Sequence, residues 1–343
     1  MIPFPLCAAL PGRPGAVRGG LLAVLTMVLM SCAATGPAQQ VTDPYAPVPV
    51  PETDAGPVPA DGKIRLIIRA DDIGMCHGTN QALRRLLDAR IVTSYSVMVT
   101  TPWLDEAVEI LAAHPGVSVG VHTAVNSEWK EYRWGPVSPP DKVPSLVDEW
   151  GKFFPSRRLM MLNEPRVEEV AAEVRAQVDL AERKGLDLCY MDHHMSGAVN
   201  TLEMQVEFEK IAREKGLGIS RHFGERDGRG VYADPPEEKL AAAIRGIEGL
   251  TTPGLYLLVV HPGTDGPEMA AMTDLNPGAP TAMSRHRQAE TDVFCSPELR
   301  AAIERKGIEL VGYREIIKQV GLTGMKRPFN ADPYDKVLEA ARK

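Results

Sequence analysis

Short apolar runs rich in β-branched residues alternate with segments of helical periodicity along most of this chain, and that alternation restricts the fold more than any other feature. Residues 64–69, 92–99, 117–121, 186–191, 255–260 and 308–311 read as strands. Between them, 79–88, 104–113, 167–184, 201–215 and 298–306 carry apolar side chains at helical spacing, several of them closed by Gly or Pro. Strands that alternate with helices build a mainly parallel sheet with both faces covered. An α/β barrel suits the length, and an open doubly wound sheet is the alternative. Residues 123–160, rich in Pro and Trp, read as a long loop over one end.

Polar residues collect where the strands end, which is where barrels place reacting groups. The first strand runs into Asp71 and Asp72, the third into His122, the next into Asp192, His193 and His194, and 255–260 into His261. Four of the chain's eight histidines stand at these ends. Each item alone has a plain structural reading, since an Asp pair after a strand caps turns and a lone histidine packs more often than it reacts. Together they would lie on one rim. Two imidazoles and one carboxylate suit a divalent metal and leave coordination positions free. A cation beside one of two adjacent carboxylates offsets their repulsion and leaves the other available as a base.

Other chemistries find less support. No Gly-x-Ser-x-Gly elbow is present, and neighbouring aspartates are poorly placed for the two-carboxylate mechanism of glycoside hydrolysis. Cys76 beside His77 is the sole local thiol–imidazole pair. A net charge of −7 with no basic stripe argues against a nucleic-acid partner. Cys76, Cys189 and Cys295 read as thiols packed as small hydrophobes.

At the amino terminus, Arg13 and Arg18 precede an apolar run from Leu21 to Met30, too short to span a bilayer and of signal-peptide length. Leu29-Met30-Ser31-Cys32 resembles a lipobox, so residues 1–31 are expected to be a signal peptide and Cys32 a lipidated residue. An exported, periplasmic or cell-envelope lipoprotein held to the membrane by that lipid is the expectation. Residues 32–62, with six prolines after Gln39, should form a flexible tether. The folded domain is expected at 63–320, with a helical tail at 321–343.

The segments Ile68-Arg69-Ala70-Asp71-Asp72-Ile73-Gly74, Val92-Thr93-Ser94, His114-Pro115-Gly116, Gly120-Val121-His122-Thr123, Met191-Asp192-His193-His194-Met195 and His261-Pro262-Gly263 resemble, in this order, the YdjC-like carbohydrate deacetylases. The likeness spans about residues 64 to 315. It implies an irregular (β/α) barrel with fewer than eight regular units. It also implies a metal-dependent hydrolase that removes acetyl groups from N-acetylated amino sugars or oligosaccharides. By position it implies one divalent ion, zinc or magnesium foremost, on Asp72, His122 and His194. His193 is the alternative third ligand, because it stands where the family usually has a small hydroxyl residue. Asp71 would be the general base and His261 the general acid. Trp129, Tyr132 and Trp134 are candidate sugar contacts or pins of the loop, Arg285 is a candidate substrate contact or support, and Arg287 and Glu290 are supporting candidates. Another amide, ester or phosphate as substrate, or a silent carbohydrate-binding lipoprotein, are the competing functions. An intact Asp71 beside intact ligands argues against silence.

Overall fold

A computed structural model describes residues 61–325. The expected signal peptide, Cys32 and nearly all of the tether lie outside the described residues, as do residues 326–343 of the tail. The described part of the tail, 321–325, holds a 3-10 turn at Leu322–Gly324.

Eight strands, β1 (Ile64–Ile73), β2 (Ser94–Val97), β3 (Ser118–Thr123), β4 (Leu188–His193), β5 (Gly218–Ile219), β6 (Arg226–Asp227), β7 (Gly254–Val260) and β8 (Glu309–Leu310), form one sheet. Its order is β5-β4-β3-β2-β1-β7-β6, every pairing is parallel, and β8 joins the first residues of β1 on the side where β2 joins the last ones. Ten helices follow the same chain order: α1 (His77–Ala89), α2 (Leu104–Ala112), α3 (Arg157–Leu162), α4 (Val167–Arg183), α5 (Leu202–Lys215), α6 (Lys239–Glu248), α7 (Pro267–Ala270), α8 (Met283–Phe294), α9 (Pro297–Arg305) and α10 (Tyr313–Val320). The result is an irregular (β/α) barrel; β5 and β6 pair with β4 and β7 but no ladder joins them among the described residues.

Strand alternation sorts the side chains into two layers. Leu66, Ile68 and Ala70 of β1 pack with the surrounding helices, while Ile67, Tyr190, Leu255 and Leu257 form a second cluster with Tyr313 and Ile316 of α10. Higher in the interior the lining turns polar: Arg69, Ser96, His122 and Asp192 are all buried. Tyr190 lies across this boundary, its hydroxyl 2.7 Å from Ser96 Oγ, and it needs Gly120 on the neighbouring strand. A Cβ at Gly120 would stand 2.5 Å from the Tyr190 ring.

The long segment after β3 is fastened rather than loose. Two buried glutamates of α4 supply the fastening. Glu173 accepts from the backbone N–H groups of Val137 and Ser138, and Glu169 accepts from those of Ser145 and its hydroxyl. Backbone donors that no ladder can satisfy are thus paired with carboxylates from a helix. The helices α3, α6, α7, α8 and α10 fall outside the sequence expectation.

Gly120→Ala should destabilise the fold by about 1–3 kcal/mol through overpacking against Tyr190. An unaltered denaturation midpoint would show that the ring is not confined there.

Candidate metal centre

The sequence places the end of the first strand at Arg69, but β1 continues through both aspartates. Its register with β2 shifts between Ala70 and Ile73, and Asp72 sits in the left-handed region at φ 62°. In a regular strand neighbouring side chains point to opposite faces, so Asp71 and Asp72 would diverge. The bulge re-aims them, as bulges near functional sites commonly do. Both now approach the same atom: His122 Nε2 is 3.8 Å from Asp71 Oδ2 and 3.5 Å from Asp72 Oδ1. Gly74, at φ 89°, completes the turn into α1, and its N–H donates to Asn80 Oδ1.

His194, just past β4, closes a triangle. Its Nδ1 is 3.4 Å from Asp72 Oδ1 and 3.3 Å from His122 Nε2. Asp72 Oδ1 is buried and has no hydrogen-bond partner, an expensive condition for a carboxylate oxygen. Four-coordinate zinc, with bonds of about 2.0–2.1 Å at tetrahedral angles, keeps its donor atoms about 3.3–3.4 Å apart. The three donors therefore fit a small divalent cation.

Every remaining polar atom of the triangle is held. Asp192 Oδ1 lies 2.9 Å from His122 Nδ1, and Asp192 Oδ2 accepts from Ser96 Oγ at 2.9 Å. Glu128 Oε2 lies 2.9 Å from His194 Nε2. Asp72 Oδ2 accepts from Arg287 Nη2 at 2.7 Å. Arg69 grips Asp71 through two bonds of 2.6 Å and reaches Asp192 Oδ2 at 2.9 Å. Burial works against a charge on Asp72, yet Arg287 and the two imidazoles hold its carboxyl well below the usual range. Burial likewise opposes a charged His194, but Glu128 and Asp72 outweigh it and push the imidazole up to about 9. His122 moves upward too, because Asp192 and Asp71 outweigh its burial.

The structure separates His193 from this group. Its side chain turns toward Phe208 of α5, ring centroids 6.0 Å apart, and burial pushes its pKa down to about 3. His194, not His193, joins Asp72 and His122. His261 is half-buried beside the Tyr232 ring at 5.2 Å, its backbone N–H donating to Glu290 Oε2 at 2.7 Å. Arg285 is exposed on α8, whereas Arg287, two residues on, faces inward and bonds Asp72. Trp129 is 1% exposed and packs over Arg287 at 5.4 Å, which removes it as a stacking platform and makes it a pin of the loop. Trp134 is almost as buried, its ring centroid 6.1 Å from that of His194 in an edge-on arrangement. Half-buried Tyr132, its hydroxyl bonded to the Met75 carbonyl, borders with Trp134 a cleft of about 440 Å³ that Thr101 and Arg133 also line. Cys76 is buried with its thiol pushed up by desolvation and set against Thr79, while the His77 ring turns to Glu106; no thiol–imidazole pair forms. Cys76, Cys189 and Cys295 are free. Glu128 is the residue that strand-end reasoning misses, because it lies within the loop after β3.

Fold and site together define an α/β barrel with a buried His₂Asp donor set and an adjacent second aspartate at one rim. The chain belongs to the YdjC family: residues 65–305 match the YdjC-like proteins. A carbohydrate deacetylase of Brevibacillus brevis is 26% identical over 260 residues, covering 74% of this chain and all of that protein (100%). One of Thermoanaerobacter pseudethanolicus is 30% identical over 132 residues, 38% of this chain and 49% of that protein's length. A crystal structure of an Enterococcus faecalis protein shares the fold at a TM-score of 0.61 and 23% identity, covering 74% of this chain and 99% of that one.

The raised His194 value carries a pH signature for metal-free protein. An imidazole with a folded pKa of about 9, above its unfolded value of about 6.5, contributes stability that is full below pH 6.5 and lost as pH rises toward 9. Metal-free protein should therefore lose stability on the order of a few kcal/mol between pH 6 and 9. Denaturation midpoints at the two pH values test this, and equal midpoints would contradict it.

Proposed function

We propose that this protein is a metal-dependent carbohydrate deacetylase that hydrolyses the acetamido group of N-acetylated amino sugars. The observation that carries the reading is the unpartnered, buried Asp72 Oδ1 facing two imidazole nitrogens at 3.4–3.5 Å, in a family whose curated relatives include carbohydrate deacetylases.

Asp72, His122 and His194 are the residues that would hold the ion. When bound there, a divalent cation supplies a Lewis acid that polarises an acyl oxygen and lowers the pKa of water. Asp71 is the general base. Arg69 occupies one lone pair on each of its oxygens and fixes the carboxylate, which leaves further lone pairs to take a proton from the attacking water. His261, at the end of β7 next to β1, is the general acid that protonates the departing amine as the C–N bond breaks. The acyl group then leaves as acetate and the sugar as the free amine. Tyr132, beside the cleft, is the aromatic placed to meet a pyranose ring.

Asp71→Asn should retain metal and lower turnover by about 10²–10⁴. Acetate release from N-acetylated oligosaccharides, read beside metal content by elemental analysis, decides it. A rate within about tenfold of the parent would remove Asp71 as base, and no acetate from any such substrate would remove the deacetylase reading.

We also propose export with lipidation at Cys32, supported by the order Arg13, Arg18, apolar run and Leu29-Met30-Ser31-Cys32. Cys32→Ala should shift the protein from the membrane fraction to the soluble one. Membrane association that survives the substitution would refute the lipid anchor.

A further inference from the structure

We propose that Glu128 is a positioning residue that assigns Nδ1 of His194 to the ion, a step that rests on the metal-site reading above. A neutral imidazole has one nitrogen that donates and one that accepts. An ionised carboxylate has no proton to give, so the 2.9 Å contact with Glu128 Oε2 is donated by His194 Nε2–H. The bare Nδ1 then faces Asp72 Oδ1 and His122 Nε2. Asp192 does the converse for His122, taking Nδ1–H and leaving Nε2 bare. The two histidines thus present opposite nitrogens to one point, each turned by its own buried carboxylate.

Glu128 is itself held in place. The backbone on either side of its side chain is tied to the segment that precedes α8: Leu275 N–H donates to the Glu128 carbonyl, Lys130 N–H donates to the Thr273 carbonyl, both at 2.9 Å, and Trp129 bridges Asp274. The Trp129 ring lies over Arg287, the partner of Asp72. Main-chain bonds make this tie, so replacing the Glu128 carboxylate leaves it intact. The carboxylate, 3% exposed as a residue, has one histidine contact and that contact is with the donor set. Carboxylates that orient metal-bound histidines change metal affinity by about 10–100-fold when removed.

The test uses the protein without metal, titrated with zinc against a chromophoric chelator, together with ¹⁵N spectra of the histidine rings in the zinc-loaded form. The parent should bind zinc with Nδ1 of His194 as ligand and Nε2 protonated. Glu128→Ala should weaken zinc binding by about 10–100-fold. The near-isosteric Glu128→Gln, whose carbonyl still accepts from Nε2–H but carries no charge, should lose less than the alanine and roughly threefold or more against the parent. Glu128→Gln guards against misfolding of the alanine variant. Zinc affinity unchanged within about twofold in Glu128→Gln, or His194 bound through Nε2 in the parent, overturns the assignment. A parent that binds no zinc is a separate result, one that overturns the metal site itself.

Discussion

Four carboxylates, Asp71, Asp72, Glu128 and Asp192, are buried in direct contact with one another's partners, against two permanent cations, Arg69 and Arg287. That leaves an excess of two negative charges in a region where an uncompensated buried charge costs several kcal/mol. Two routes neutralise it. Both imidazoles take a proton, which is the direction in which His122 and His194 are driven in the metal-free site. A divalent cation held at the same nitrogens, as proposed above, would supply the same two charges, whereas a monovalent ion would leave the site unbalanced.

This charge balance depends on the barrel. Arg69 can serve Asp71 on its own strand and Asp192 on β4 because parallel strands curve round a common interior, and Ser220 beyond β5 takes its third contact at 2.6 Å. Arg287 enters from α8, outside the sheet, and meets Asp72 because the bulge has lifted that residue out of the strand's alternation. Removing either guanidinium would leave buried carboxylates unpaired, so fold and site share the same ion pairs.

Much of this is legible in the chain. The strands around 64, 118, 188 and 255 and the helix from Val167 announce themselves by periodicity, and the strand ends point to Asp72, His122 and His194. What sequence alone leaves open is orientation. His193 and His194 are equivalent in a one-dimensional reading, but β4 ends at His193, and Met195 and Ser196 then take positive φ values of 48° and 59°. That turn swings His194 to the interior while His193 packs against Phe208. Arg285 and Arg287 are two positions apart on a helix, hence roughly opposite faces, and only the docking of α8 decides which one is buried.

The loop between β3 and α3 shows why a segment with little regular structure can be as fixed as a strand. Its aromatics read as sugar contacts or as pins of the loop, and Trp129 and Trp134, both buried, are pins. Trp134 donates its indole N–H to the Asn126 carbonyl, and its backbone N–H goes to Ser127 Oγ, so the chain folds back on the residues beside Glu128. Glu169 and Glu173 secure the far part of the loop to α4. Large rings buried in the loop exclude water around Glu128, and a carboxylate in a drier setting interacts more strongly with an imidazole. The same residues that give the loop its irregular composition therefore give the His194–Glu128 contact its strength, which connects the unusual sequence of this stretch to the donor set it covers.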